Sequence, residues 1–208
     1  MILDVVQVSK DLFAASFVIN RGNVQVGDFS LKGSLGSMEA NITGKLFEHS
    51  FEMRFGKSDI IEMAHPFRPY IIDKNGVQNG IVYQTKFNGG LFKKFDYHQM
   101  KKAGITYDLF PIGLGTDGSK SPIYQDNTQI AQIEKDCVVY NDLHTYKIFA
   151  QDEFSGEIAV LFAIYMYINA GYKPGKKDIT STVKVVTKTT NKLLLEKYNS
   201  DFTKYIEA

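Results

Sequence analysis

The spacing of apolar side chains divides the chain into two regimes. Over the first 150 residues they recur at every second position in short runs. Ala40, Ile42 and Leu46 share one side of such a run with Gly44, and Asn41, Thr43 and Lys45 take the other. That is the period of a strand with one wet face. Phe51, Met53 and Phe55 alternate with Glu52 and Arg54 in the same way. Further strands are expected over 2–8, 12–19, 24–31, 81–87, 91–97, 105–110, 122–124, 129–134 and 146–150. Turns are expected at Asn20 to Asn23, Asn75-Gly76, Asn79-Gly80, Asn88-Gly89 and Asp117-Gly118, because Asn, Asp and Gly accept the positive φ of tight hairpins. Pro66 and Pro69 flank Phe67-Arg68 and mark a bend. About a dozen strands result, in the range where a sheet closes to remove its edges.

The second regime is Glu157 to Tyr172, EIAVLFAIYMYINAGY. From Ile158 to Tyr172 it carries no charged side chain and is apolar on nearly every side. A helix of that kind is buried all round. It is bracketed by Asp152, Glu153 and Lys173, and it falls short of the about 17 to 25 residues a bilayer span needs. Ser155 is the expected N-cap and Gly171 the expected stop. After the Pro174-Gly175 break, 176–190 reads equally as a strand or as the front of a long helix. From Asn191 the helical reading is better, with Leu194, Tyr198, Phe202 and Tyr205 at steps of three and four. The expected architecture is therefore mainly β: a closed antiparallel barrel of about twelve strands around a central hydrophobic helix over 155–171, plus a C-terminal helix. Residues 1–175 form the barrel with its helix, and 176–208 a C-terminal appendage packed on or beside it.

Composition narrows function mainly by exclusion. The 208 residues carry 24 basic and 23 acidic side chains, a net charge of +1, which gives no global argument for nucleic acid. Cys137 is the sole cysteine, so no intramolecular disulfide can form, and this suits a reducing, cytoplasmic setting. The N-terminus MILDVVQVSK lacks the features of a signal peptide.

The order of several segments is similar to a known family. A G-x-x-x-PIY-x(4)-QIAQIEK stretch (Gly118, Pro122 to Tyr124, Gln129 to Lys135) precedes an HTYKIFAQDE strand, and that strand leads into EIAVLFAIYMYI. This resembles the tubby C-terminal-like barrels, which include phospholipid scramblases, LURP-one-related proteins and many uncharacterised bacterial members. The closing NKLLLEKYNSDFTKYI looks like the tail of Firmicutes members. The resemblance covers roughly 75–206 and implies a twelve-stranded barrel around a central helix. Members often place an acidic residue near the helix end, where this chain has Asn169. The family's phosphoinositide-binding surface residues match no positions here, so no site residue is carried over.

Candidate chemistry is sparse. Gly113 to Gly118 matches G-x-G-x-x-G, but Pro122 follows where a helix would have to run, so the stretch reads as a glycine-rich hairpin loop. His49, His65, His98 and His144 show no metal-ligand spacing, and neither a metal nor a cofactor is expected. Asp96 with His98 and Asp142 with His144 read as polar pairs facing water. Cys137 reads as a small buried hydrophobe. Lys86, Lys93, Lys94, Lys101 and Lys102, interleaved with Phe92, Phe95 and Tyr97, make the middle of the chain locally basic. Such a patch can hold anionic lipid headgroups, or it can be a set of edge-strand lysines that discourage aggregation. Lys173, Lys176 and Lys177 read as the solvated exit of the helix. A helix-filled barrel leaves no roomy interior for a substrate. The expectation is a non-enzymatic binding module, docking on anionic lipid through those five lysines at the membrane periphery. The alternative is an interaction protein that self-associates as a homo-oligomer or binds a protein partner through its tail. No transmembrane segment is expected.

Overall fold

The computed structural model describes residues 1–33, 39–56, 67–89, 94–172 and 182–207. Lys93, Pro66, His65, Pro174-Gly175 and the lysines at 173, 176 and 177 lie outside the described residues. Nine strands follow one another as antiparallel neighbours. They are β1 (Ile2–Lys10), β2 (Ala14–Arg21), β3 (Val24–Gly33), β4 (Ala40–Leu46), β5 (His49–Phe55), β6 (Phe67–Lys74), β7 (Val77–Asn88), β8 (Lys94–Lys102) and β9 (Ile105–Leu109). The chain then detours through β10 (Ile112–Gly115) before β11 (Ser119–Gln125) returns to pair with β9, placing Ile123 opposite Leu109. β12 (Thr128–Lys135) pairs with β11. After the short β13 (Val138–Val139), β14 (Thr145–Ala150) enters between β12 and β1. That last insertion closes the ring, and the result is a twelve-stranded antiparallel barrel with no open edge.

Alternation decides what fills the ring. Leu3 and Val5 of β1, Phe17 and Ile19 of β2, Ile42 of β4 and Ile133 of β12 point inward and are almost wholly buried. They meet α1 (Glu153–Met166), whose side chains from Ile158 to Tyr165 are 0% exposed. Burying each large apolar side chain of that helix contributes about 1.5–3 kcal/mol. The enclosed-helix expectation therefore holds, and among the described residues no helix is long and apolar enough to cross a bilayer. The cap differs from expectation. Asp152, not Ser155, is the N-cap, and its Oδ1 accepts from both the Ser155 N–H and the Ser155 hydroxyl at 2.7 Å. After Met166 the helix widens over Tyr167–Gly171 into i→i+5 hydrogen bonding, with the Tyr172 N–H donating to the Tyr167 carbonyl at 2.7 Å.

Two expected turns prove different in kind. Asn75-Gly76 is a tight hairpin with φ of 52° and 76°. Asn79-Gly80 lies inside β7 instead. The register there passes from Asp73 opposite Gln78 to Ile72 opposite Gly80, so Asn79 is the extra residue of a β-bulge. Arg68, with φ of 49°, marks a second register break beside Pro69.

The tail is not one helix. β15 (Val183–Lys184) pairs with β13, and β16 (Thr187–Lys188) pairs with β10, so the described part of 176–190 is extended. α2 (Lys192–Leu195) and α3 (Phe202–Glu207) follow, separated by Asn199-Ser200-Asp201, residues that favour turns. Leu194 joins Phe110 and Ile112 in a small second core on the outside of the barrel, against Phe95, Tyr97 and Tyr124. Phe202 is also buried, but Tyr205 is 77% exposed, so the expected four-residue stripe is only partly used.

Candidate functional site

The five lysines do not form one face. Lys86 lies opposite Asp96, and Lys94 opposite Asn88, where β7 and β8 run beyond the barrel rim. Lys86 is 80% exposed and 4.0 Å from the Asp96 carboxylate. Lys101 takes the opposite side of β8 and is half-buried. Lys102 is a correction: it points into the barrel, and only 3% of its side chain is exposed. Strand parity explains this, since Lys102 shares its side with His98 and Met100. Lys93 lies outside the described residues.

Lys102 belongs to a polar group at the N-terminal end of α1. Glu157, itself almost fully buried, accepts from Lys74 Nζ at 2.8 Å, and Lys102 Nζ sits 2.8 Å from its other oxygen. The second contact is an ion pair off the line of a hydrogen bond. At this end two ammoniums thus share one carboxylate within the protein.

The other end of the helix is different. Inward positions of successive strands become polar there: Gln84 on β7, His98 on β8, Ser121 on β11, Lys135 on β12 and Tyr146 on β14. With Met166, Asn169 and Ala170 from the widened helix end, they line a cavity of about 390 Å³. Val185, Thr187 and Thr189 of the tail close one side, and the Gly113–Gly118 hairpin another. The tail is held there by hydrogen bonds from the Val185 N–H to the Cys137 carbonyl (2.7 Å) and from the Gly113 N–H to Thr189 Oγ1 (2.9 Å). A larger hollow of about 520 Å³ lies over outward-facing residues of β3 to β6, such as Asp28, Thr43 and Glu52, on the barrel's outer face.

The cavity walls hold polar atoms with nothing to bond. His98 Nδ1, Ser121 Oγ and both amide atoms of Asn169 are shielded from solvent and lack a hydrogen-bond partner. The Asn169 amide lies beside the Tyr165 hydroxyl. That hydroxyl donates to the Arg68 carbonyl at 3.0 Å, however, and neither amide atom is in bonding geometry. Each shielded, unpaired polar group costs about 1–3 kcal/mol. Further atoms of this kind, such as the Tyr107 hydroxyl and Gln129 Oε1, do not border this cavity. Burial lowers His98 to about 4, so its imidazole is neutral at physiological pH. Burial also lowers Lys135 and raises the Tyr146 phenol. Widened helix turns of the Tyr167–Gly171 type recur at functional sites because they re-aim side chains.

The other sequence motifs resolve plainly. Gly113 to Gly118 is a hairpin between β10 and β11, with Gly115 and Gly118 at φ of 73° and 77°, and no helix follows. His98 and His144 are buried rather than facing water, each ring edge-on to a tyrosine, Tyr165 and Tyr167 respectively. Asp96 and Asp142 turn instead to Lys86 and Lys10. Cys137 is buried and donates its S–H to the Thr116 carbonyl. No cluster of His, Cys, Asp and Glu that could hold a metal occurs among the described residues. Comparison with protein-family models, with curated proteins and with solved structures finds no match.

Proposed function

We propose that the protein is a non-enzymatic binding module that holds a small polar molecule in the cavity at the C-terminal end of the central helix. The observation that carries this reading is the convergence of unpartnered buried atoms of His98, Ser121 and Asn169 on one cavity. Its volume is within the range of small-molecule sites. An occupant would supply the missing hydrogen bonds. Kinship with the tubby C-terminal-like barrels is part of the same proposal and rests on the barrel, the helix and their order in the chain. So is a cytoplasmic location. Ligand-observed NMR with a fragment set tests the reading. Fragments should bind the wild-type chain and be lost from a Thr187→Trp variant that fills the cavity. Equal binding to both proteins, or none to either, contradicts it.

A second reading, docking on anionic lipid, is favoured by one observation. Phe87 is 42% exposed and stacks on Phe95 at 4.9 Å, on the β7–β8 ribbon whose other side carries the exposed Lys86 and Lys94. A projecting ribbon with an exposed aromatic ring on one side and lysines on the other suits a headgroup layer. Co-flotation with anionic vesicles that fades with salt, and is lost in Lys86→Glu/Lys94→Glu, supports it. No flotation removes it.

A further inference from the structure

We infer that the occupant of the cavity is a small monocarboxylate with an apolar body, its carboxylate held by Lys135. This deepens the proposed function and rests on that reading. Lys135 is the last inward-facing residue of β12, following Ala131 and Ile133 on the same side. Its ammonium lies 5.5 Å from the centre of the Tyr146 ring, which also lines the cavity, and the residue edges the neighbouring outer groove over Lys120 and Val139 as well. It makes no ion pair among the described residues. The acidic side chains nearby are otherwise placed. Asp142, whose field favours the charged amine, is paired with Lys10. Asp136 borders the cavity but is exposed to solvent.

A half-buried ammonium beside the closed Tyr146 ring, without a counter-ion, costs free energy, and an anion in the cavity would offset part of it. The neutral neighbours suit the same guest. The Ser121 hydroxyl and the Asn169 amide nitrogen can each donate to a carboxylate oxygen. The helix-end carbonyls, which would repel an anion, are partly occupied. Arg68 Nη1 donates to the Asn169 carbonyl at 3.2 Å, and the Tyr172 N–H to that of Tyr167. One cation matches a single negative charge, which favours a carboxylate over a phosphate dianion. Pro111, Ile112, Met166 and Val185 supply apolar wall for the rest of the molecule.

Benzoate and benzamide, alike in shape but not in charge, test this by titration calorimetry on the full chain. Benzoate should bind the wild type more tightly than benzamide. Lys135→Met should weaken benzoate about tenfold or more, the loss of one charge-assisted contact, and leave benzamide unchanged. Lys135→Arg, which keeps the charge, should retain benzoate, and this separates loss of the site from misfolding. Benzamide binding as tightly as benzoate, or indifference of benzoate to Lys135→Met, overturns the carboxylate assignment while leaving the cavity reading intact. Binding of neither probe also overturns it. The cavity reading falls as well only if fragment binding is absent or is insensitive to Thr187→Trp.

Discussion

Glu157 shows what a buried charge needs in this barrel. It lies between two lysine ammoniums with almost no exposure, and of the two only Lys74 keeps some contact with water, Lys102 being closed off. Glu157→Ala would leave Lys102 buried without its partner. The expected loss is about 3–5 kcal/mol of stability, read from the urea midpoint. Glu153→Ala, which breaks an exposed pair with Arg21, should cost no more than about 1 kcal/mol. His98 makes the complementary case of a group kept neutral. Its pKa of about 4 in the folded chain lies below the ordinary 6.5. The unfolded chain therefore takes up a proton that the native chain refuses. The stability from His98 is fully present above pH 6.5 and is lost as pH falls through 4, amounting to about 3 kcal/mol. The difference between wild type and His98→Gln in denaturation across that window should shrink steadily with falling pH. A flat difference would mean the imidazole is not held neutral by burial.

At the level of elements, the helix and its cap are separable. The stretch from Ile158 is legible as an enclosed helix because no position in it tolerates water. The cap is less legible, since Asp152 and Ser155 are both good N-cap residues and only the extended φ of −149° at Asp152 decides between them. Asp152→Ala should lower stability by about 1 kcal/mol. Its carboxyl is held below the usual range chiefly by the Ser155 N–H, so that contribution is present at neutral pH and fades on acidification through the lowered value. The Asn79 bulge illustrates a different limit. Asn-Gly signals positive φ equally at a turn or beside a bulge, and only the pairing register distinguishes them. The tail strands differ from the barrel in strength, because β15 and β16 each contribute two paired residues at their edges. Amide hydrogen exchange should therefore be orders of magnitude faster over 183–188 than over α1, which opens only with the whole barrel. Equal protection would show that the tail is locked to the barrel core.

At the scale of the molecule, closure and content are linked. The ring closes because β14 leaves the order of the chain to pair with both β12 and β1. A closed ring of this size needs filling, and α1 fills it. Alternation of apolar residues makes that architecture legible, down to the bounds of Ala40–Leu46. The site is harder to read. Its signal is a polar residue at the end of an inward-facing apolar row: His98 before Met100, and Lys135 after Ala131 and Ile133. The same parity puts Lys102 inside, which removes it from any basic outer face. What alternation does not contain is which rows end at the same rim. That depends on the stagger between strands distant in the chain, and on the tail that lies across the opening. The central claim is that this end of the barrel is built to be completed by a guest, whereas at the other end Lys74 and Lys102 find their counter-ion, Glu157, within the protein. Backbone chemical-shift mapping with benzoate tests it most directly. The account predicts shifts confined to the surroundings of His98, Ser121, Lys135, the 166–170 turn and the 185–189 strap. Shifts gathered instead on the β7–β8 rim around Phe87, or saturating binding that leaves those residues unmoved, would contradict it.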